Sequence, residues 1–111
     1  MSGIREDLAD MDRLIHEPAR LAILTTLSAC KSTDFLFLQR LIGLTPGNLS
    51  SHLTKLEEAG LLWTDKQILA RRPHTQVGLT DAGREAIGRH WQQLEDMRRH
   101  ARELGSGDPQ T

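Results

Sequence analysis

The chain has 111 residues, 38% of them apolar and 26% charged, and a net charge of −1. That is enough chain to bury one core and no more, in a balance typical of folded globules rather than disordered polymers. No apolar run approaches the roughly 18 residues of a membrane span, and the opening MSGIREDLAD lacks the basic and apolar regions of a secretory leader. The one cysteine, Cys30, excludes an internal disulfide, so a cytoplasmic, reducing compartment is expected. Charge is unevenly spread. Residues 1–17 set two basic side chains against five acidic ones, and residues 40–78 set five basic against three acidic. An acidic start beside a mildly basic middle is compatible with a basic patch on a nearly neutral protein.

Apolar residues recur mostly at helical spacing. Ile4, Leu8, Met11 and Ile15 form one stripe of an N-terminal helix over 4–16, which Glu17-Pro18 breaks. Proline suits a first helical turn, so a second helix is expected from Pro18 to about Ala29, with Leu21, Leu24 and Leu27 inside. Ser32-Thr33-Asp34 forms an N-cap cluster ahead of a short third helix made by Phe35, Leu38, Leu41 and Ile42. Leu36 and Phe37, with Phe35 and Leu38, make that helix apolar all round, so either it is buried on two sides or part of it lines an interface or ligand pocket. Gly43 stops it. Thr45 as N-cap and Pro46 start the fourth helix, which ends at Ala59 before Gly60. Two short helices joined by a tight glycine-containing turn, over 34–59, are the signature of a helix-turn-helix.

The pattern then shifts to strands. Leu61–Thr64 and Thr75–Leu79 are β-prone, and the hairpin over 61–79 has a basic loop from Lys66 to His74 with Ala70-Arg71-Arg72-Pro73 at its tip. Thr80-Asp81 caps a last helix over 80–104, and residues 105–111 read as a flexible tail. The expected architecture is a single domain over 1–104, mainly α with a small antiparallel β-hairpin (α+β).

The segment from Thr45 through Leu61, TPGNLSSHLTKLEEAGL, resembles the recognition-helix region of MarR/ArsR winged-helix regulators. Arg71-Arg72-Pro73-His74-Thr75 and Leu79-Thr80-Asp81-Ala82-Gly83-Arg84 resemble the wing and the start of the last helix in that group. The likeness covers roughly residues 14–90 and is nearest to small stand-alone winged-helix DNA-binding proteins. It implies a winged helix-turn-helix with long terminal helices and the role of a homodimeric transcription regulator.

The residue chemistry points the same way. On a helical wheel Leu49, Leu53 and Leu56 share one face and must pack inward. The opposite face carries Gly47, Asn48, Ser51, Thr54 and Lys55, flanked by Ser50 and His52, with Thr45 at the helix start. Small and hydrogen-bonding side chains let a backbone approach a duplex. Asn48 suits an adenine edge, Ser51 and Thr54 suit bases or phosphates, and Lys55 suits a phosphate. Arg71 and Arg72 suit a narrow minor groove.

Metal sensing occurs in some ArsR-type regulators, but Cys30 stands alone and His90 and His100 are ten residues apart, so no metal site or other cofactor is expected. No phosphate loop, nucleophile elbow or paired carboxylates stand out, and no enzymatic activity is expected. The last helix is longer than so small a body requires. Its stripe of Ile87, Trp91, Leu94, Met97, Ala101 and Leu104, together with Ile4, Leu8, Met11 and Ile15, therefore predicts a homodimer joined through both terminal helices. Two functions compete. One is a dimeric, sequence-specific regulator of double-stranded DNA, and the other is a winged-helix module whose same surface grips protein. The uncluttered recognition face and basic wing favour the first, and the net charge favours the second. No membrane partner is expected, and no effector can be named from the sequence.

Overall fold

The computed structural model describes residues 12–106. Ile4, Leu8 and Met11 of the N-terminal stripe lie outside the described residues, as do positions 107–111. Helix α1 covers residues 12–16. It is followed by α2 (Pro18–Ser28), β1 (Thr33–Asp34), α3 (Phe35–Ile42), α4 (Pro46–Glu58), β2 (Leu62–Leu69), β3 (Arg72–Leu79) and α5 (Asp81–Ser106).

Local chemistry sets most of these boundaries. Glu17 caps α2 by accepting the Arg20 N–H at 2.9 Å, and Pro18 occupies the first turn. Asp34 caps α3 by accepting from the Leu36 and Phe37 N–H groups, while Gly43 closes that helix in the left-handed conformation at φ 79°. Only Gly43, Leu44 and Thr45 separate α3 from α4. Thr45 Oγ1 accepts the Asn48 N–H at 3.1 Å and starts α4.

The core is built where these helices converge on the sheet. Ile23, Leu24 and Leu27 of α2, Leu38 of α3, and Leu49, Leu53 and Leu56 of α4 are buried against Leu61, Leu62, Val77, Leu79, Ala86 and Ile87. Ile15 and Ile87 are buried in this same core, which corrects their expected place in a subunit interface: the domain's own apolar surface already covers them. Leu41 is exposed, as are Leu36 and Phe37, because short α3 buries only Leu38 fully and packs Phe35 and Ile42 at the core's edge.

Three further differences concern the sheet and tail. The sheet has three strands in the order β1-β3-β2, all antiparallel. Thr33 and Asp34 pair with Val77 and Gln76 while the Asp34 side chain caps α3, so one dipeptide does both jobs. The wing has no long basic loop. Its strands pair as far as Leu69 and Arg72, and the turn consists of Ala70 and Arg71 alone, both at positive φ (51° and 66°). Gly105 and Ser106 belong to α5 rather than to a tail.

The start of α5 is anchored tightly. Thr80 Oγ1 donates to the Gly60 carbonyl at 2.6 Å and accepts the Gly83 N–H at 3.0 Å, while the Thr80 N–H donates to the Leu61 carbonyl. A Cβ at Gly83 would collide with that Leu61 carbonyl, so only glycine permits the approach. Arg84 reaches across to donate to the Cys30 carbonyl at 2.9 Å, beyond the end of α2. Cys30 itself is half-buried at the core's edge.

Candidate nucleic-acid interface

Helix α4 separates its two faces cleanly. With Leu49, Leu53 and Leu56 buried, the residues between them are turned out: Thr45, Gly47, Asn48, Ser50, Ser51, Thr54 and Lys55 are all exposed. A Cβ at Gly47 would meet nothing within 4 Å, and its φ is not positive. The fold therefore does not need glycine there, although glycine costs a helix about 1 kcal/mol relative to alanine. What Gly47 leaves open is its own backbone N–H: Pro46 has none, the Asn48 and Leu49 N–H groups are taken by Thr45, and the helix dipole favours an anion there.

His52 is not part of this open face. It is half-buried against α2, where Arg20 Nη1 and His52 Nδ1 lie 3.3 Å apart and Glu17 Oε2 lies 3.7 Å from the same nitrogen. Arg20 Nε donates to the Leu14 carbonyl at 2.6 Å, so one guanidinium links the end of α1, the start of α2 and the middle of α4. Burial works to raise the Glu17 pKa, but the Arg20 and Ala19 N–H groups and the His52 and Arg20 charges outweigh it and hold the carboxyl below its ordinary value.

The wing stands beside α4. Between them runs a groove of about 400 Å³, with Ser50, Leu53, Thr54 and Glu57 on one side and Thr64, Lys66 and Thr75 on the other. Thr64 Oγ1 donates to Glu57 at 3.0 Å and ties the helix to the strand. Arg71 and Arg72 are exposed at the tip, and the Asp34–His74 pair at 3.5 Å braces β3 against β1. Lys66 and Thr75 escape a reading of the sequence that places Lys66 in a loop. Strand alternation from Thr64 puts Lys66 on the same face.

The apolar stripe on α5 divides. Ile87 is inside and Leu94 is half-buried, whereas Trp91, Met97 and Leu104 are 43%, 66% and 77% exposed and Ala101 is exposed too. Beside this stripe His90 is buried, edge-on to His16 with ring centroids 5.3 Å apart, and its Nε2 has no hydrogen-bond partner. Among the described residues no helix is long and apolar enough to cross a membrane.

A helix-turn-helix followed by a two-stranded wing, with β1 completing the sheet, defines a winged helix. Residues 19–97 match the model of a winged helix DNA-binding domain. An uncharacterised protein of Methanocaldococcus jannaschii is 35% identical over 75 residues, spanning 68% of this chain and 82% of that one. A transcriptional regulator homologue from Pyrococcus horikoshii OT3 superimposes with a TM-score of 0.77 at 36% identity, over 86% of this chain and 97% of its own. A protein described as a MarR-family regulator, from Enterococcus faecalis V583, shares the fold, with a TM-score of 0.78, 17% identity and 93% of each chain covered. The chain belongs to the winged helix DNA-binding domain family of transcriptional regulators.

Proposed function

We propose that the protein is a homodimeric, sequence-specific regulator of transcription that acts in the cytoplasm without enzymatic activity. In this reading it places α4 in the major groove of double-stranded DNA and Arg71 and Arg72 at the minor groove or backbone. The observation that carries it is the outer face of α4: exposed small and hydrogen-bonding side chains, a glycine that packing does not require, and one lysine. Asn48 and Ser51 are the base-reading candidates, and Thr45, Gly47, Ser50, Thr54 and Lys55 position the backbone. Thr45 uses its oxygen lone pair in the cap, which leaves its hydroxyl proton for a phosphate. His52 acts from behind, holding α4 against α2.

Selection of bound sequences from a random duplex pool tests the proposal. Asn48→Ala should keep its fold and lose about 1–3 kcal/mol at one base position. Arg71→Ala with Arg72→Ala should weaken binding to every duplex and make the dependence of log K on log salt shallower by roughly one for each phosphate no longer neutralised. A pool that enriches no sequence with the wild-type protein would reject sequence-specific binding in favour of a protein-binding module.

A further inference from the structure

We propose that the wing carries an apolar wedge, Ile68 backed by Pro73, that enters the minor groove of duplex DNA and packs on its deoxyribose walls. The inference rests on the DNA-binding reading above and adds an interaction of different chemistry to it.

Strand register places the wedge. Ile68 pairs with Pro73, Lys66 with Thr75 and Thr64 with Val77. Directly paired residues share a face of the sheet, and that face repeats every second residue. Thr64, Lys66 and Thr75 line the groove beside Ser50 and Thr54 of α4. Ile68 and Pro73 therefore continue the α4-facing side of the wing outward to its tip. Ile68 is 79% exposed, the most exposed large apolar residue among those described, so no part of this domain uses its side chain.

Charge and backbone select the occupant. From Lys66 to Gln76 there are three basic residues, Lys66, Arg71 and Arg72, and no acidic one. An apolar ridge ringed by cations fits a groove with apolar sugar walls and phosphate rims, and apolar wedges flanked by cationic side chains are a recurrent device of minor-groove binders. The turn supports this. Both of its residues hold positive φ without being glycine or asparagine, so Arg71 keeps a side chain at the apex where a relaxed turn would dispense with one. Pro73 argues against addition of another protein's strand. In a two-residue hairpin the Leu69–Arg72 pair is hydrogen-bonded and the Ile68–Pro73 pair is not, so the N–H that proline lacks would have pointed off the open edge of β3. β1 covers that edge only at Gln76 and Val77.

The test uses the full chain and the duplex it enriches from a random pool. Ile68→Ser should weaken binding about ten-fold, the factor expected for losing part of one aliphatic burial, with thermal stability unchanged. The salt slope should also stay unchanged, because every phosphate keeps its cationic partner, in contrast to Arg71→Ala with Arg72→Ala. Ile68→Leu should restore most of the affinity. Wild-type affinity in Ile68→Ser, while the arginine variant still weakens binding, would overturn the wedge and leave the DNA-binding reading standing. A change in oligomeric state or in melting temperature caused by Ile68→Ser would overturn it in favour of a protein contact. If the wild type binds no duplex, both readings fall.

Discussion

The first ten residues of α5 and its last sixteen follow the same apolar period and end in opposite situations. From Asp81 to His90 the stripe is consumed by the domain: Gly83 is buried at the α4–β2 junction, Ala86 and Ile87 in the core, and His90 beside His16 of α1. Past Leu94, which is still half-buried, it has outrun the body, and Met97, Ala101 and Leu104 are exposed although nothing in their spacing changes. Period reports that a helix has an apolar side. It does not report whether the covering surface belongs to the same chain. The 26 residues of α5 span about 39 Å, and that length, measured against one small core, is what separates the two halves.

The sharpest way to break this comparison is to cut both halves alike. Ile87→Ala should lower unfolding free energy by about 2–5 kcal/mol in urea titration, because a fully packed side chain leaves a cavity. Leu104→Ala should stay within about 0.5 kcal/mol in dilute protein. Equal losses at the two positions would show that the distal turns fold back onto the domain. Next in size is the effect on assembly. Met97→Glu with Leu104→Glu puts two charges on the distal stripe without touching the core, and light scattering should show monomers where the wild type shows dimers. The wild-type melting temperature should rise with protein concentration and that of the variant should not. A wild-type protein that remains monomeric at high micromolar concentration would defeat the dimer proposal.

The smallest effect is electrostatic and concerns the start of α2. The Glu17 carboxyl is held below its ordinary value of 4.5, so its ionised form is favoured by folding. Its contribution is complete above that value and is lost as pH falls through the lower folded-state value. Glu17→Gln should therefore be less stable than wild type at neutral pH, and the gap should close on acidification. A gap that persists unchanged at the acid end would mean that Glu17 acts through packing rather than charge.

How much of the fold is legible in the sequence depends on the range of the interaction. Caps and stops are local, so Asp34, Gly43, Thr45-Pro46 and Gly60 can be read directly, and with them the helix-turn-helix and the outward face of α4. The strand role of Thr33-Asp34 is hidden because the same residues form a cap, and pairing with Gln76 and Val77 lies more than forty positions away. The two-residue turn is hidden because Ala70-Arg71 lacks the glycine or asparagine that advertises positive φ. His52 sits beside the open face on a wheel, and only the Arg20 side chain, 32 residues distant, shows that it is held inward. The surplus exposure of Leu36, Phe37 and Leu41 is half visible: an all-apolar helix signals a second demand but not which face meets the core.

The junction of Thr80 and Gly83 with Gly60 and Leu61 has a mechanical consequence. Those two carbonyl-bearing residues follow Ala59, the C-cap of α4, so the last helix is anchored at the base of the outward-facing one. The rotational phase of the distal stripe is thereby locked to the direction in which Asn48 and Ser51 point. One residue inserted between Gly83 and Ile87 would turn everything beyond it by about 100° and slide it about 1.5 Å. An insertion after Leu104 would change nothing but length. The molecule behaves as a rigid bracket whose two arms are aligned by a glycine too small to let them drift.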